Sequence, residues 1–315
     1  MATKSKKKRW RLHRDDVELT FLALPTAVWF LLFSYLPMVG IIIAFKNYRV
    51  NPHHGFFYNL FNSEWSGLEN FSFLFRTPDA QRMILNTLGY NVIFIALGTI
   101  LPVILALMFH EMRGQRLKKV TQTMIFLPHF LSWVVVNYFV FAFLSPDKGL
   151  VNSIIQQFGG DPISWYNEPK YWPFIFIFMN SWKGVGYGSV IYLAALSGID
   201  ATFYEAAMID GATKWQQMKF ITLPQLKSLV IIMLILSLGG IFRSNLDLFY
   251  QLPRRVGQLY DVSITIDVYV FNATIGSGNF KLGTAANFLQ SVVGFIFVVG
   301  SNLVIRKIEP ESALF

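Results

Sequence analysis

Side chains that could perform catalysis are scattered through this 315-residue chain without the spacing that catalytic motifs require. The His53-His54 pair, the His110-Glu111 pair and His129 lie far apart, and none fits the H-E-x-x-H pattern of a zinc protease. The sequence has no G-x-x-x-x-G-K-[ST] phosphate loop, no nucleophile elbow and no cysteine. We therefore expect no catalytic residue, metal site or cofactor in this chain, and a membrane-embedded hydrolase lacks the residues it would need.

The composition instead indicates a membrane protein. Hydrophobic residues make up 54% of the chain and charged residues only 14%, against about 25% charged residues in an average soluble domain. A net charge of +9 would suggest nucleic-acid binding in a soluble protein. In a membrane protein it bears on orientation instead, so we expect no nucleic-acid partner. The first apolar run, 19–44, exceeds a signal-peptide core of about 7 to 15 residues, and we expect it to remain as a span.

Six apolar runs reach the length of about 20 residues that a transmembrane helix requires. They are 19–44, 84–109, 122–144, 171–196, 226–243 and 285–305. We predict an all-α membrane protein with six transmembrane helices, consisting of a basic cytoplasmic tail, 1–18, and a single transmembrane domain, 19–315. Of the 27 Lys and Arg residues, 16 lie in the termini and loops on one side and 10 on the other. The positive-inside rule therefore places both termini and the loop 199–224 in the cytoplasm.

The loop 199–224 is a polar segment between two apolar runs, and it carries its own helix signals. A T-x-x-E sequence begins at Thr202 and a T-x-x-Q sequence at Thr213, so each predicts a capping box at a helix start. Gly211 lies between them, where a left-handed helix end favours a residue without a Cβ. Pro224 disfavours helical backbone at the residue before it and is expected to close the second helix. We predict a hairpin of two short helices that binds something outside this chain.

Lys183 is a cation within the run 171–196, where a charge costs at least about 2.5 to 3.5 kcal/mol near the bilayer centre. Two interpretations remain open. Lys183 could extend to the interface and make hydrogen bonds between helices. Alternatively, it could line a polar, aromatic passage for a hydroxyl-rich solute, with Lys183 and Arg243 as partners for a carboxylate. The predicted passage residues are Asn137, Tyr138, Asn180, Lys183, Tyr187, Arg243 and Asn245.

The sequence GVGYG at 184–188 resembles the selectivity filter of potassium channels. A filter belongs in a re-entrant loop between the last two spans, whereas this sequence lies inside the fourth apolar run. No run carries arginine at every third position, as a voltage sensor would. The small residues therefore favour close approach of another helix or of a substrate.

The hairpin also carries a family motif. Glu205-Ala206-Ala207, Gly211 and the I-x-L-P sequence that ends at Pro224 reproduce the pattern E-A-A-x3-G-x9-I-x-L-P. In this the chain resembles the permeases of ABC importers. The coupling residues that the resemblance implies are Glu205, Ala206, Ala207, Asp210, Gly211, Ile221, Leu223 and Pro224.

Other segments narrow the resemblance to carbohydrate permeases. The sequences GLENF at 67–71, GLVN at 149–152 and W-K-x-x-G-Y at 182–187 are similar to permeases related to the maltose importer. The segment 21–48 is similar to the branch that imports polysaccharides or complex oligosaccharides. The resemblance implies a type I importer permease whose cargo is an oligosaccharide or polysaccharide, including acidic ones such as alginate or pectin fragments.

The same resemblance implies partners and a location. The hairpin would be the coupling helix in a groove of an ATP-binding subunit, and ATP and Mg would bind only to partner subunits. A second homologous permease, two ATP-binding subunits and an extracytoplasmic solute-binding protein would complete the importer in the lipid of a bacterial cytoplasmic (inner) membrane. The alternative from another class is an ion-coupled secondary sugar carrier, but we detect no internal repeat of the apolar runs.

Overall fold

The structure, a computed structural model, describes residues 14–112 and 114–314 of the chain. Within these residues the regular elements are all helical, and Lys46 and Trp65 form an isolated antiparallel bridge. The predicted all-α class is confirmed. Residues 1–13 of the predicted basic tail and Arg113 lie outside the described residues.

Fifteen α-helices occur in the described residues, joined in places by short 3₁₀ and π turns. They are α1 (Arg14–Phe30), α2 (Phe56–Asn62), α3 (Phe73–Arg76), α4 (Ala80–Glu111), α5 (Gln115–Phe130), α6 (Trp133–Leu144), α7 (Leu150–Gln157), α8 (Trp172–Ser197), α9 (Ala201–Ile209), α10 (Lys214–Gln217), α11 (Leu223–Leu238), α12 (Leu246–Gln251), α13 (Tyr260–Ser263), α14 (Ile266–Ser277) and α15 (Phe280–Ile308).

Within the described residues, four continuous helical segments are long and apolar enough to cross a membrane. They are Glu18–Phe45, Ala80–Glu111, Lys214–Leu238 and Phe280–Ile308. The bent pair α5 and α6 adds a fifth if it counts as one span. Helix α8 has 26 residues and is not among these segments; it carries the polar side chains of Asn180 and Lys183 in its middle. The count of six spans and the orientation of the termini stay predictions.

The run 122–144 does not form the single straight helix that its apolar character suggests. Its helix breaks at Leu131 and Ser132, which are extended, and α5 and α6 meet at an angle of 101°. The Ser132 side chain accepts a hydrogen bond from the backbone N–H of Val135 and so starts α6 as a new helix. Pro128, which cannot donate an i→i−4 hydrogen bond, weakens the helix just before the break.

The run 226–243 also has different bounds in the structure. Helical backbone begins at Lys214, within the predicted hairpin, and ends at Leu238. Residues 239–242 form turns, with Gly239 directly following the helix. The fifth apolar run is therefore the continuation of the hairpin's second segment.

Aromatic side chains from three helices form the centre of the largest core. The ring of Phe249 on α12 lies 4.8 Å from Tyr90 on α4 and 4.8 Å from Phe176 on α8. Trp172 is fully buried beside Phe176, at 5.3 Å between ring centroids. These contacts hold α4, α8 and α12 together, and α8 also carries the predicted passage residues Asn180, Lys183 and Tyr187.

Gly186 permits a close contact between α8 and α5. A Cβ at this position would lie 2.2 Å from the backbone oxygen of Ile125, and one at Gly188 would lie 3.1 Å from Pro102 on α4. The small residues of the GVGYG sequence therefore do allow other helices to approach. Gly184 lies in the same sequence but faces open space.

We predict that Gly186→Ala destabilises the protein by about 1 to 3 kcal/mol, because the added methyl group forces α5 away from α8. Gly184→Ala is the matched control, since nothing lies within 4 Å of its new Cβ. Thermal unfolding of the purified variants in detergent micelles measures the difference. Equal melting temperatures for the two variants would contradict the packing described here.

Candidate functional site

The first helix of the hairpin starts two residues earlier than the sequence suggests. The N-cap of α9 is Asp200, whose Oδ1 accepts a hydrogen bond from the backbone N–H of Thr202 at 2.9 Å. That bond also holds the pKa of the Asp200 carboxyl below its usual range. The predicted capping box at Thr202 is wrong because Asp200, a stronger N-cap residue, precedes it. Glu205 is consequently not used as a capping residue.

Gly211 makes the turn that the sequence predicts. Its φ is +78°, in the left-handed region. The N–H of Gly211 donates to the Met208 carbonyl at 3.1 Å, and the N–H of Ala212 donates to the Ala207 carbonyl at 2.9 Å. These are the two hydrogen bonds of a Schellman motif, which satisfies the last carbonyls of α9. The prediction of a left-handed helix end at Gly211 is confirmed.

The second segment begins as predicted but does not end at proline. Thr213 and Gln216 form the full capping box, with the Thr213 N–H donating to Gln216 Oε1 at 2.7 Å. The backbone then passes through a π turn, Met218–Thr222, and continues into α11. The N–H of Leu223 bonds to the carbonyl of Met218, five residues back. The helix therefore continues past Pro224, whose ring and missing N–H are accommodated by the wider turn just before it.

The hairpin presents apolar and acidic groups to its surroundings. No residue of α9 is buried. Even its apolar side chains are exposed: Phe203 and Met208 by 55% each and Ile209 by 86%. Within the described residues, the Glu205 carboxylate makes no hydrogen bond and no ion pair. The coupling residues Glu205, Ala206, Asp210, Gly211, Leu223 and Pro224 are exposed, whereas Ala207 and Ile221 are partly buried. Such a surface suits the groove of another protein.

The hairpin is nevertheless attached to the transmembrane helices. The Tyr204 hydroxyl lies 3.0 Å from Thr222 Oγ1, which joins α9 to the π turn. The Lys214 ammonium lies 3.8 Å from the Glu111 carboxylate at the end of α4. The ring of His110 on α4 contacts Tyr204 at 6.0 Å between centroids. A displacement of the hairpin would therefore be passed to α4 and α11.

Lys183 is bound to the break between α5 and α6. Its ammonium donates to the backbone oxygen of His129 at 2.7 Å and lies 5.4 Å from the Trp133 ring centroid. Tyr187, one turn along α8, stacks on the His129 ring at 4.1 Å. Lys183 thus makes the hydrogen bond between helices that the first interpretation predicts. Two ammonium hydrogens remain for a solute, so the passage role stays a prediction.

The other predicted passage residues lie on several elements. The Arg243 guanidinium donates to Ser291 Oγ on α15 at 2.9 Å, so Arg243 and Lys183 are held by different helices. Asn245 is the N-cap of α12 and accepts from the Leu248 N–H at 3.2 Å. Asn137 is buried on α6 with an unpartnered Oδ1. Tyr138 is 63% exposed, and Asn180 is half-buried.

Sequence reasoning missed a polar network around Asp267 at the start of α14. The Asp267 carboxylate accepts from the Ser244 N–H at 2.6 Å and from the Ser244 hydroxyl at 2.8 Å. The Gln290 side chain on α15 donates to Asp267 at 3.2 Å and to the Phe242 carbonyl at 2.9 Å. Asp267 and Gln290 also border a cavity of about 400 Å³ between α14 and α15. A lone Asp outside the apolar runs offered no signal of this role.

We predict that Lys183→Met destabilises the protein by about 1 to 3 kcal/mol, because the His129 carbonyl loses its charged donor in an apolar setting. The matched control is Lys170→Met, which removes an exposed ion pair with Glu168 at 3.2 Å and a cation–π contact with the Tyr171 ring at 4.9 Å. Thermal unfolding of both variants measures the effect. A Lys183→Met protein as stable as the control would show that the break needs no such bond.

Comparisons with known proteins agree with this geometry. Residues 98–244 match the family described as binding-protein-dependent transport system inner membrane component. Protein LplB of Bacillus subtilis (strain 168) is 35% identical over 95% of this chain and 92% of its own length. The polygalacturonan/rhamnogalacturonan transport system permease protein YteP of the same strain is 36% identical over 98% of this chain and 94% of its own.

A solved structure extends the likeness to three dimensions. It is the crystal structure of a bacterial alginate ABC transporter in complex with an alginate pentasaccharide-bound periplasmic protein. One of its chains is 32% identical, with a TM-score of 0.81, over 94% of this chain and 96% of that one. This chain therefore belongs to the family of inner membrane components of binding-protein-dependent transport systems.

Proposed function

We propose that this chain is a transmembrane permease subunit of an ATP-driven ABC importer that carries an oligosaccharide or polysaccharide across the inner membrane. The observation that carries the proposal is the exposed hairpin, which holds the whole E-A-A-x3-G-x9-I-x-L-P pattern. Membership of the transport family supports an import role. No feature of the chain favours the ion-coupled carrier over this function.

The hairpin is the coupling element in this proposal, and its partner is a separate ATP-binding subunit that holds ATP and Mg. Glu205 offers an unpaired carboxylate to basic residues of the partner's groove. Ala206 and Ala207 have small side chains that let the groove approach α9 closely. The exposed rings of Phe203, at 55%, and Trp215, at 65%, provide apolar surface that the partner buries.

The continuous helix Lys214–Leu238 explains how the coupling reaches the membrane. Its 25 residues correspond to a rod of about 37 Å, from the capped hairpin to the turn at Gly239. Closure of the ATP-binding subunits moves the hairpin, and the rod carries that motion into the transmembrane helices as a rigid-body rotation. The π turn, Met218–Thr222, keeps the rod unbroken at Pro224.

The cargo in this proposal is an acidic saccharide. The relative YteP is named for polygalacturonan and rhamnogalacturonan, and the solved transporter for alginate. All three polymers contain uronic acids, whose carboxylates require cationic or hydrogen-bonding partners. The passage consists of the predicted residues around Lys183 and Tyr187, with Arg243 near its other end.

Further subunits complete the importer. A second homologous permease lies beside this chain in the lipid, and two ATP-binding subunits contact the two coupling hairpins. An extracytoplasmic solute-binding protein delivers the saccharide, as the periplasmic protein in the alginate transporter structure suggests. The sequence 199–224 occurs once in this chain, which supports a paralogue as the source of the second hairpin.

We predict that Glu205→Ala combined with Gly211→Val uncouples the importer. The first change removes the carboxylate, and the second strains a turn with φ of +78°. Solute-stimulated ATPase of the reconstituted complex is expected to fall at least about tenfold, a loss of about 1.4 kcal/mol or more in coupling. Membrane insertion should be unchanged.

The matched control is Glu168→Ala combined with Gly159→Val, which removes an acid and strains a glycine with φ of +81° on the opposite side of the predicted membrane. The control should retain ATPase coupling. Full saccharide transport by the hairpin variant would contradict the coupling role.

A further inference from the structure

Two adjacent arginines adopt an unusual backbone conformation between α12 and α13. Arg254 and Arg255 have φ of 53° and 56°, and no other non-glycine residue in the described part of the chain has a positive φ. Each such residue costs about 1 to 3 kcal/mol and persists only where its surroundings impose the conformation. The flanking Leu252 and Pro253 are buried, and the Arg254 N–H bonds to the Gln251 carbonyl at 3.1 Å. The fold therefore fixes both arginines in place.

Both guanidinium groups lie on aromatic rings. The Arg254 guanidinium is 4.2 Å from the Phe141 ring centroid and 5.8 Å from that of Tyr138. The Arg255 guanidinium is 4.5 Å from the Tyr250 ring centroid and donates to the Tyr250 hydroxyl. Stacking holds the planar groups while leaving most of the N–H donors at their edges free.

Neither arginine has a carboxylate partner among the described residues. The basic residues that do form ion pairs there include Arg82, Lys170, Lys214 and Lys227. This differs from Lys183 and Arg243, whose charged groups are already bound to other helices. Two fixed, exposed and unneutralised guanidinium groups are suited to paired hydrogen bonds with carboxylates.

Tyr166 adds a buried polar group beside the pair. Its ring contacts Phe141 at 5.8 Å, on which Arg254 also stacks, and its hydroxyl is buried without a hydrogen-bond partner. Burial raises the pKa of Tyr166 to about 12, and the Arg254 charge opposes that rise, so the hydroxyl is a neutral donor at physiological pH. Because this hydroxyl is buried, it lies beside the arginine pair without being one of the donors that a ligand can reach.

We infer that Arg254 and Arg255 form a carboxylate-binding site for the uronic-acid residues of an acidic saccharide. This inference rests on the proposed function and identifies the residues that recognise the negative charge of the saccharide. The exposed ring of Tyr138 offers an apolar face to a sugar ring next to the guanidinium of Arg254. The distribution of basic residues places the pair on the extracytoplasmic side, where the saccharide arrives.

The test uses the purified importer complex with its partner subunits but without its solute-binding protein. The probes are tetragalacturonate and the same tetrasaccharide with its carboxyl groups reduced to alcohols. We expect Arg254→Gln combined with Arg255→Gln to weaken tetragalacturonate binding at least about tenfold, because two charge-assisted contacts are lost. Binding of the neutral tetrasaccharide should stay within about twofold.

Arg49→Gln combined with Arg76→Gln is the matched control, since it removes two exposed arginines from the same predicted side of the membrane. This control should bind tetragalacturonate normally. Stimulation of the ATPase by the solute-binding protein should be the same in all three proteins.

Three results would overturn the inference: equal weakening for both saccharides, equal weakening in the control, or unchanged tetragalacturonate binding. Loss of stimulation by the solute-binding protein with unchanged saccharide binding would assign the arginines to protein docking. If the inference fails while the Glu205 and Gly211 double variant still uncouples ATPase, only the arginine site is wrong. Failure of both would contradict the proposed function itself.

Discussion

Backbone groups released by a helix break must find hydrogen-bond partners within the protein, because a bilayer interior supplies no water. The two main breaks in this chain meet this requirement through side chains from other helices. Lys183 on α8 binds the His129 carbonyl at the end of α5. At the second break Asn91 on α4 donates to the carbonyls of Ile241 and Arg243, at 2.7 and 2.9 Å. These long-range bonds tie the broken segments to straight helices, so the breaks are fixed features of the fold.

The hairpin also satisfies the backbone groups at its helix ends, and it does so with local hydrogen bonds. Its first helix ends in a Schellman motif at Gly211, and its second begins in a capping box at Thr213, so the hairpin has few unsatisfied groups of its own. Its polar contacts with α4 and the π turn leave Phe203 and Glu205 exposed. Because the second segment runs unbroken to Leu238, the capping box of the hairpin and a membrane-length apolar segment belong to one continuous helix.

The sequence predicts features that depend on neighbouring residues, but it does not predict which residues distant in the chain form hydrogen bonds with each other. Gly211 and the Thr213 capping box depend on neighbours within five residues, and both were predicted. The predicted cap at Thr202 is wrong because Asp200 competes for the same N–H groups. The predicted helix end at Pro224 is wrong because the π turn before it has no sequence signature. A cation within an apolar run predicts an interhelical hydrogen bond for Lys183. Its acceptor, His129, lies 54 residues away in the sequence and has no local signal.

The proposed docking of the hairpin on an ATP-binding subunit in the cytoplasm can be tested with one introduced thiol. The natural chain has no cysteine, so Phe203→Cys introduces a single thiol on the exposed face of α9. Photo-cross-linking from this thiol with a maleimide–benzophenone reagent, which needs no cysteine on the partner, is the direct measurement and uses inside-out membrane vesicles. Phe75→Cys is the control, at an 81% exposed residue on the predicted outer side. We expect the Phe203→Cys protein to cross-link to the ATP-binding subunit and the Phe75→Cys protein not to. Labelling of Phe203→Cys by a membrane-impermeant maleimide added from the outer side, or no cross-link in an intact complex, would contradict the proposed docking.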